Sequence, residues 1–200
     1  MGDSLRATNR HPRLEAAEDD AIRDCERGNA LTRILFLLFL GVVGAAIVRT
    51  YFFETAAIES GSMEPTLYVG AHYLVNRFVY RLHGPQRGDI ISFVSPIDHK
   101  TLFVKRVIGV AGDQIQLKDK RVILNGTPLD EPYAIHKRAG ERLVGDNIGP
   151  MTVPEGSVFV LGDNRDESFD SSVWTDPQTG APIYFLPTSS IRGRLMLVVS

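Results

Sequence analysis

Two serines separated by a single glycine, Ser60 and Ser62, have a spacing that predicts chemistry. They begin a short run, residues 60–67, that also contains Pro65. Glycine permits backbone conformations that a side chain forbids, and proline fixes the exit of a turn. Such a turn can expose the Ser62 hydroxyl while leaving nearby N–H groups free to meet an oxyanion. The alternative is a polar loop without chemistry, and this run alone does not decide between the two.

A serine nucleophile needs a base, and Lys105 is the strongest candidate. In a strand over residues 102–110, alternation puts Lys105 on one face and Arg106 on the other, each among apolar neighbours. Arginine does not release its proton in proteins, whereas burial lowers the pKa of a lysine so that its neutral amine can accept one. The alternative is a lysine at a sheet edge with its ammonium group in water.

Histidine is another possible base for a serine. The five histidines lie in turn-rich or polar segments, apart from one at a strand start, and none belongs to a motif with an acid behind it: His11, His72, His83, His99 and His136. Because geometry rather than sequence order defines a catalytic triad, a histidine base stays open as an alternative.

A third segment, residues 162–171, is dense in Asp, Asn, Arg and Ser. It predicts a loop bonded to itself, in which Arg165 forks to carboxylates and hydroxyl groups orient a neighbour. The alternative is a cation-binding acidic loop. However, the spacing does not follow the Asp-x-Asp-x-Asp-Gly pattern of calcium loops, and an arginine inside the loop argues against a metal. We therefore expect no metal site here.

The segments that must position these residues have the composition of strands. Residues 73–75, 89–93, 102–110, 121–124 and 157–161 are rich in β-branched and aromatic residues. Asn125-Gly126 is a strong hairpin signal. No segment after residue 54 carries a convincing helical period. The sequence predicts a mainly β domain, a coiled set of antiparallel sheets.

The longest apolar segment precedes this domain. Residues 31–53 are long enough to span a membrane if Arg33 and Arg49 extend to the interfaces. Arginines crowd the N-terminal flank, which predicts a polar cytoplasmic tail over 1–30, a transmembrane anchor over 31–53 and an extracytoplasmic domain over 54–200. A cleavable signal peptide is the alternative, but no clear small-x-small cleavage site follows the apolar run.

Composition limits the remaining function classes. The chain has 200 residues and a net charge of −2, which fits one domain with an appendage and argues against nucleic acid as a partner. Its single cysteine, Cys25, lies in the polar N-terminal segment. The domain therefore has no disulfide framework, no cysteine-based zinc site and no thiol nucleophile.

Taken together, these motifs resemble those of bacterial type I signal peptidases, the membrane-anchored serine proteases that remove signal peptides. The resemblance extends over residues 50–200 in order and rough spacing. The segments that carry it are 60–67 (Ser-Gly-Ser-Met-Glu-Pro-Thr-Leu), 73–77 (Tyr-Leu-Val-Asn-Arg), 87–90 (Arg-Gly-Asp-Ile), 104–109 (Val-Lys-Arg-Val-Ile-Gly), 112–113 (Gly-Asp) and 162–171.

The resemblance implies a role for each site residue. Ser62 is implied as the nucleophile, Lys105 as the general base, Ser60 as a side-chain donor to the oxyanion and Ser168 as the hydroxyl that orients the Lys105 amine. The residues implied to support the loop are Asp163, Asn164, Arg165 and Asp170. No cofactor is implied.

The resemblance also implies the partners and the location. The substrate would be an exported preprotein with small residues at P1 and P3, bound as an extra strand beside residues 56–60 and 102–104. The other partner would be the lipid bilayer. The enzyme would sit in the bacterial inner membrane with a single span, its N-terminus in the cytoplasm and its catalytic domain outside.

Three departures from the family pattern accompany the resemblance, and one of them is a compact build with a single span and a small accessory region around residues 115–150. Ser172 replaces an arginine usual in the family, so an ion pair with Asp170 is either missing or made by another arginine such as Arg165. Residues 175–183 lengthen a connection. Two alternative functions stay open: a specialised maturation peptidase of the same clan, of the kind that processes conjugative pilins, and a non-catalytic anchored β-domain.

Overall fold

The computed structural model of the chain describes residues 30–46 and 53–199. Residues 30–46 form a helix, α1, in a compact unit separate from the one that contains residues 53–199. Within the described residues, no helix is long and apolar enough to cross a membrane. The predicted span also includes residues 47–52, and the predicted tail includes residues 1–29. Both ranges lie outside the described residues, so the anchor stays a prediction.

The β-rich unit is built from short strands in two antiparallel sheets. The larger sheet has seven strands and the smaller has four within residues 53–199. In chain order, the strands are β1 (Phe53–Ala57), β2 (His72–Asn76), β3 (Ile90–Val94), β4 (Leu102–Val110), β5 (Gln114–Lys118), β6 (Arg121–Leu124), β7 (Thr127–Pro128), β8 (Ile148–Thr152), β9 (Ser157–Leu161), β10 (Leu186–Pro187) and β11 (Ile191–Val199).

The larger sheet follows the order β1-β2-β11-β3-β4-β9-β10. The register of β11 shifts against both of its neighbours, and that of β4 shifts between Val107 and Gly109. Bulges of this kind increase the twist of a sheet. The prediction of a mainly β domain is confirmed, and the one α-helix of residues 53–199 is the four-residue α2 (Val79–Leu82).

The smaller sheet, in the order β7-β6-β5-β8, contains two tight turns. Asn125 and Gly126 both have positive φ angles, 51° and 80°, as the hairpin prediction requires. The β5–β6 turn was not predicted. It uses Asp119 and Lys120 at φ 48° and 68°, a residue pair with a weaker turn signal than Asn-Gly.

The core that supports the site lies against β3, β4 and β9. Phe93, Val107, Val160 and Trp174 are fully buried in one apolar cluster, and the rings of Phe93 and Trp174 meet edge to face at 5.8 Å. The lengthened segment 175–183 forms a closed turn, with Thr175 bridged to Pro182. Segment 175–183 therefore forms a self-bonded loop directly after the buried Trp174.

Candidate active site

Ser62 and Lys105 are brought into direct contact although 43 positions separate them. Ser62 lies in a single 3-10 turn, Gly61–Met63, and Lys105 lies on β4 opposite Ile91 of β3. Lys105 Nζ is 2.6 Å from Ser62 Oγ, and both side chains are buried. The alternative of a lysine with its ammonium group in water is therefore wrong. Lys105 is 3% exposed, which decides between the two possibilities that strand alternation left open.

Burial changes the protonation of this lysine. Removal from water lowers the pKa of Lys105 from 10.5 to about 8, while the carboxylates of Asp170 and Asp163 act in the opposite direction. A group that titrates near 8 is neutral in a useful fraction at physiological pH. The pair can therefore transfer a proton from the serine hydroxyl to the amine.

A second hydroxyl stands beside the first. Ser60 Oγ lies 3.2 Å from Ser62 Oγ, and the Ser60 side chain is exposed at the mouth of the site. Gly61 does not use the conformational freedom that glycine permits, because its φ is not in the left-handed region. A Cβ at Gly61 would meet the carboxyl carbon of Glu64 at 3.3 Å, and that carboxyl group is the movable end of a side chain.

The loop 162–171 holds the serine turn in place. The Asn164 backbone N–H donates to Ser62 O at 3.0 Å, and its side-chain amide donates to Gly61 O at 3.1 Å. A Cβ at Gly162 would overlap the Ser168 hydroxyl and lie 2.5 Å from the Ser62 carbonyl oxygen, so only glycine allows this approach. The polar loop thus holds the backbone carbonyl groups of Gly61 and Ser62 in place.

Ser168 is the residue predicted to orient the Lys105 amine. Its Oγ is buried and, among the described residues, has no hydrogen-bond partner. It therefore makes no hydrogen bond to Lys105 in this structure. Its role in orienting the amine stays a prediction.

Asp163 is paired with the arginine that follows Lys105. Arg106 Nε and Nη2 donate to the two carboxylate oxygens at 2.8 and 2.6 Å, and Thr66 Oγ1 donates to Oδ2 at 2.5 Å. The guanidinium group also stacks over the ring of Tyr133 at 3.9 Å. Neighbouring cations on one strand thus have different functions, because alternation sends Lys105 to the serine and Arg106 to this ion pair.

Arg165 does not take the place of the missing arginine at Asp170. Its guanidinium forms a bidentate ion pair with Glu131 at 3.0 and 2.5 Å, and its Nε donates to Gly162 O. Asp170 instead accepts from Gly162 N and from the backbone and hydroxyl of Ser172. The suggestion that Arg165 braces Asp170 is wrong.

Sequence reasoning missed Thr66, Glu131 and Tyr133. Glu131 and Tyr133 lie 34 and 27 positions from their arginine partners, in a connection without a motif. Thr66 belonged to the matched run but carried no predicted role. No local signal identifies such partners, since only the fold brings these segments together.

No histidine of the described residues forms a hydrogen bond with Ser62. His72 is exposed at the start of β2, and His11 lies outside the described residues.

In residues 30–46 and 53–199, no group of three or more His, Cys, Asp or Glu side chains could hold a metal ion.

An open groove leads to the Ser62–Lys105 pair. It has a volume of about 500 Å³ and lies between residues 54–60 on one side and residues 100–105 on the other. Ile58, Met63 and Val75 contribute apolar side chains to its lining. The groove can accommodate an extended peptide whose backbone reaches Ser62.

Comparisons with known proteins show the family of this chain. The sequence model of the family described as "Signal peptidase, peptidase S26" matches residues 31–200. Signal peptidase I of Bacillus licheniformis is 36% identical over 154 residues, which cover 74% of this chain and 82% of the relative. Signal peptidase I P of Bacillus subtilis subsp. natto is 34% identical over 165 residues, or 78% and 88% of the two chains.

A solved signal peptidase I from Enterococcus faecalis is 31% identical, with a TM-score of 0.44, and the match covers 57% of this chain and 98% of the solved one. The family resemblance that the motifs indicated is confirmed by the family match and by the two relatives. The chain belongs to the signal peptidase family, peptidase S26.

Proposed function

We propose that this chain is a membrane-anchored serine endopeptidase that removes signal peptides from exported preproteins. The observation that carries the proposal is the 2.6 Å hydrogen bond between buried Lys105 Nζ and Ser62 Oγ, next to a groove that can hold an extended peptide. Membership of the signal peptidase family and relatives named signal peptidase I support the substrate class.

In the first half of the reaction, the neutral Lys105 amine takes the proton of Ser62 Oγ as the oxygen attacks the scissile carbonyl carbon. The tetrahedral intermediate then breaks its C–N bond, and the Lys105 ammonium gives its proton to the leaving amine. In the second half, water attacks the carbonyl carbon of the acyl-enzyme and Lys105 accepts the proton of that water. The second tetrahedral intermediate breaks its C–Oγ bond, and the Lys105 ammonium returns the proton to Ser62 Oγ. This step releases the signal peptide with a free carboxyl end and restores both Ser62 and the neutral amine.

The negatively charged oxygen of the tetrahedral intermediate needs hydrogen-bond donors that stabilise it. Ser60 Oγ, at 3.2 Å from Ser62 Oγ, is positioned to donate once substrate is bound, together with the Ser62 backbone N–H. Ser168 Oγ is buried and without a hydrogen-bond partner among the described residues, so it is available to the Lys105 amine when the site rearranges around substrate.

Two free strand edges support the proposed binding of substrate as an extra strand. Of the described strands, β1 pairs only with β2, and β9 pairs with β4 only from Arg106 to Val110, which leaves residues 102–105 of β4 without a partner on that side. Unpaired strand edges bind extended peptides through backbone hydrogen bonds. The preference for small side chains near the scissile bond is what the family resemblance implies.

The proposed anchor is residues 31–53, with residues 1–30 in the cytoplasm and 54–200 outside the bacterial inner membrane. The support is the apolar composition of 31–53 and the arginines on its N-terminal side. The full-length chain should resist carbonate extraction, and protease added to spheroplasts should cut beyond residue 54. A soluble mature protein that begins near residue 55 would contradict the anchor.

The decisive test of the activity is cleavage of a generic exported precursor by the purified full-length protein in detergent. Wild-type protein should release the signal peptide after a small residue, while Ser62→Ala should not. Cleavage of a single dedicated precursor would favour the specialised maturation peptidase. A lack of cleavage combined with no labelling of Ser62 by a serine-directed acylating reagent would favour a non-catalytic domain.

A further inference from the structure

Another cavity lies at one end of the larger sheet and is lined by three cations and one carboxylate. It has a volume of about 250 Å³, its charged lining residues are Glu54, Arg77, Lys100 and Arg192, and His99 also lines it. The proposed protease mechanism uses none of these side chains.

The strand order explains why these residues meet. The start of β1 pairs with the end of β2, β11 begins beside the end of β3, and β4 begins opposite it. Arg77 follows β2, Lys100 lies in the β3–β4 turn, and Arg192 falls at the register shift of β11. Five strand ends therefore collect residues that are distant in sequence.

The charge of this cavity is poorly compensated. Three arginine and lysine side chains face one carboxylate, Glu54, whose Oε2 is 3.8 Å from Arg77 Nε. Lys100 and Arg192 are exposed and form no ion pair with a carboxylate of the described residues. A cavity of this sign and size fits a phosphate group.

The position of the cavity indicates the source of that phosphate. It shares Glu54, Lys100 and Leu102 with the substrate groove, at the end remote from Ser62. It is also the end at which β1 starts, at Phe53, the last residue of the apolar segment 31–53. Leu102 is 52% exposed there and offers an apolar contact beside the cations.

We propose that this cavity binds the headgroup phosphate of an anionic phospholipid and so holds the open end of the groove at the membrane surface. The inference rests on the proposed anchoring by residues 31–53. Cations near an anionic bilayer surface gain binding energy individually, and this gain is lost at high salt.

The test measures acetylation of Lys100 by acetic anhydride in full-length protein held in lipid nanodiscs, with peptide mass spectrometry as the readout. Exposed Lys118 on β5 is the internal control. An equimolar mixture of phosphatidylglycerol and phosphatidylcholine should slow the acetylation of Lys100 about fivefold relative to phosphatidylcholine alone. Lys118 should be unaffected, and high salt should remove the protection.

Equal reactivity of Lys100 in both lipids would overturn the proposal. Protection by inorganic phosphate in phosphatidylcholine discs would assign the site to a free phosphate instead. The double variant Arg77→Gln/Arg192→Gln should lose the protection, whereas the matched variant Arg121→Gln, at an exposed position of β6, should keep it. Protection that survives in the double variant would show a diffuse surface potential and no bound headgroup.

The outcomes also separate this inference from the proposed function. A chain that carbonate extracts from membranes lacks the anchor, and both proposals then fail. A chain that stays anchored and cleaves precursor, but whose Lys100 is not protected, refutes only the lipid site. If the double variant does not fold, the comparison of the two lipids with wild-type protein still decides the question.

Discussion

Ser172 donates two hydrogen bonds to Asp170 Oδ1, from its hydroxyl at 2.7 Å and from its backbone N–H at 3.0 Å. With the Gly162 N–H on the other oxygen, the Asp170 carboxylate is buried among neutral donors, and no cation pairs with it in the described part of the chain. Its charge therefore acts on the nearby Lys105, whose pKa it raises against the effect of burial. The residue at position 172, where the family resemblance implies an arginine, thus bears on the protonation of the proposed base.

Ser172→Arg should move the acid limb of kcat/KM to lower pH. A guanidinium group beside Asp170 would offset the carboxylate, so the pKa of Lys105 should fall, by roughly half a unit to one unit. The measurement is the pH profile of precursor cleavage. Ser172→Gln is the matched control, since it adds similar bulk without charge and should leave the profile unmoved. An unshifted profile in a folded Ser172→Arg protein would contradict the electrostatic role of Asp170.

The pH dependence of the wild-type enzyme should follow Lys105. Because burial lowers its pKa to about 8, the neutral amine is lost as pH falls, and kcat/KM should drop tenfold per unit well below that value. Between about pH 8 and 10.5 the unfolded chain binds more protons at this site than the folded one, so stability should rise with pH. Thermal unfolding of Lys105→Met should lack that rise. An acid limb near 6.5 would indicate a histidine base.

Lys105→Arg should be as inactive as Lys105→Ala. Arginine keeps the charge but cannot accept a proton near neutrality, so Ser62 would have no base. Single-turnover cleavage of precursor measures the effect. If Lys105→Arg kept more than a few per cent of wild-type turnover while Ser62 stayed essential, the base would have to lie elsewhere.

Ser60→Ala should lower kcat by roughly 10²–10³ with little change in KM, because it removes one of two proposed oxyanion donors. Ser62→Ala should abolish turnover above background. Ser60→Thr keeps a hydroxyl and is the matched control, for which part of the activity should return. Equal, mild losses from Ser60→Ala and Ser62→Ala would show that the site is assigned wrongly.

Arg106→Met should destabilise the catalytic domain by about 3–5 kcal/mol, because it leaves the fully buried Asp163 carboxylate without its cation. Adding Asp163→Asn should recover part of the loss, since the charge that needs a partner is then gone. Denaturant unfolding of the detergent-solubilised full chain measures both. If the double variant lost as much free energy of unfolding as the two single variants together, Arg106 and Asp163 would not be energetically coupled.

The sequence by itself determined which residue types could react and that Lys105 and Arg106 lie on opposite faces of one strand. Strand alternation is a local rule, so it separated the two cations correctly, whereas the fold decided which of the two faces meets Ser62. The Asn125-Gly126 turn was predictable for the same reason, because two adjacent residues fix its conformation. The family match also follows from motifs that lie in order along the chain.

Only the tertiary structure decided the partners of the buried charges. Arg165 pairs with Glu131 instead of Asp170, and Arg106 lies between Asp163 and Tyr133. These contacts join segments that are 27 to 57 positions apart. Each arginine pairs with the carboxylate or aromatic ring that the fold brings close to it. Local spacing carries no information about such distances, so a sequence can show that an arginine needs a partner without showing which one it has.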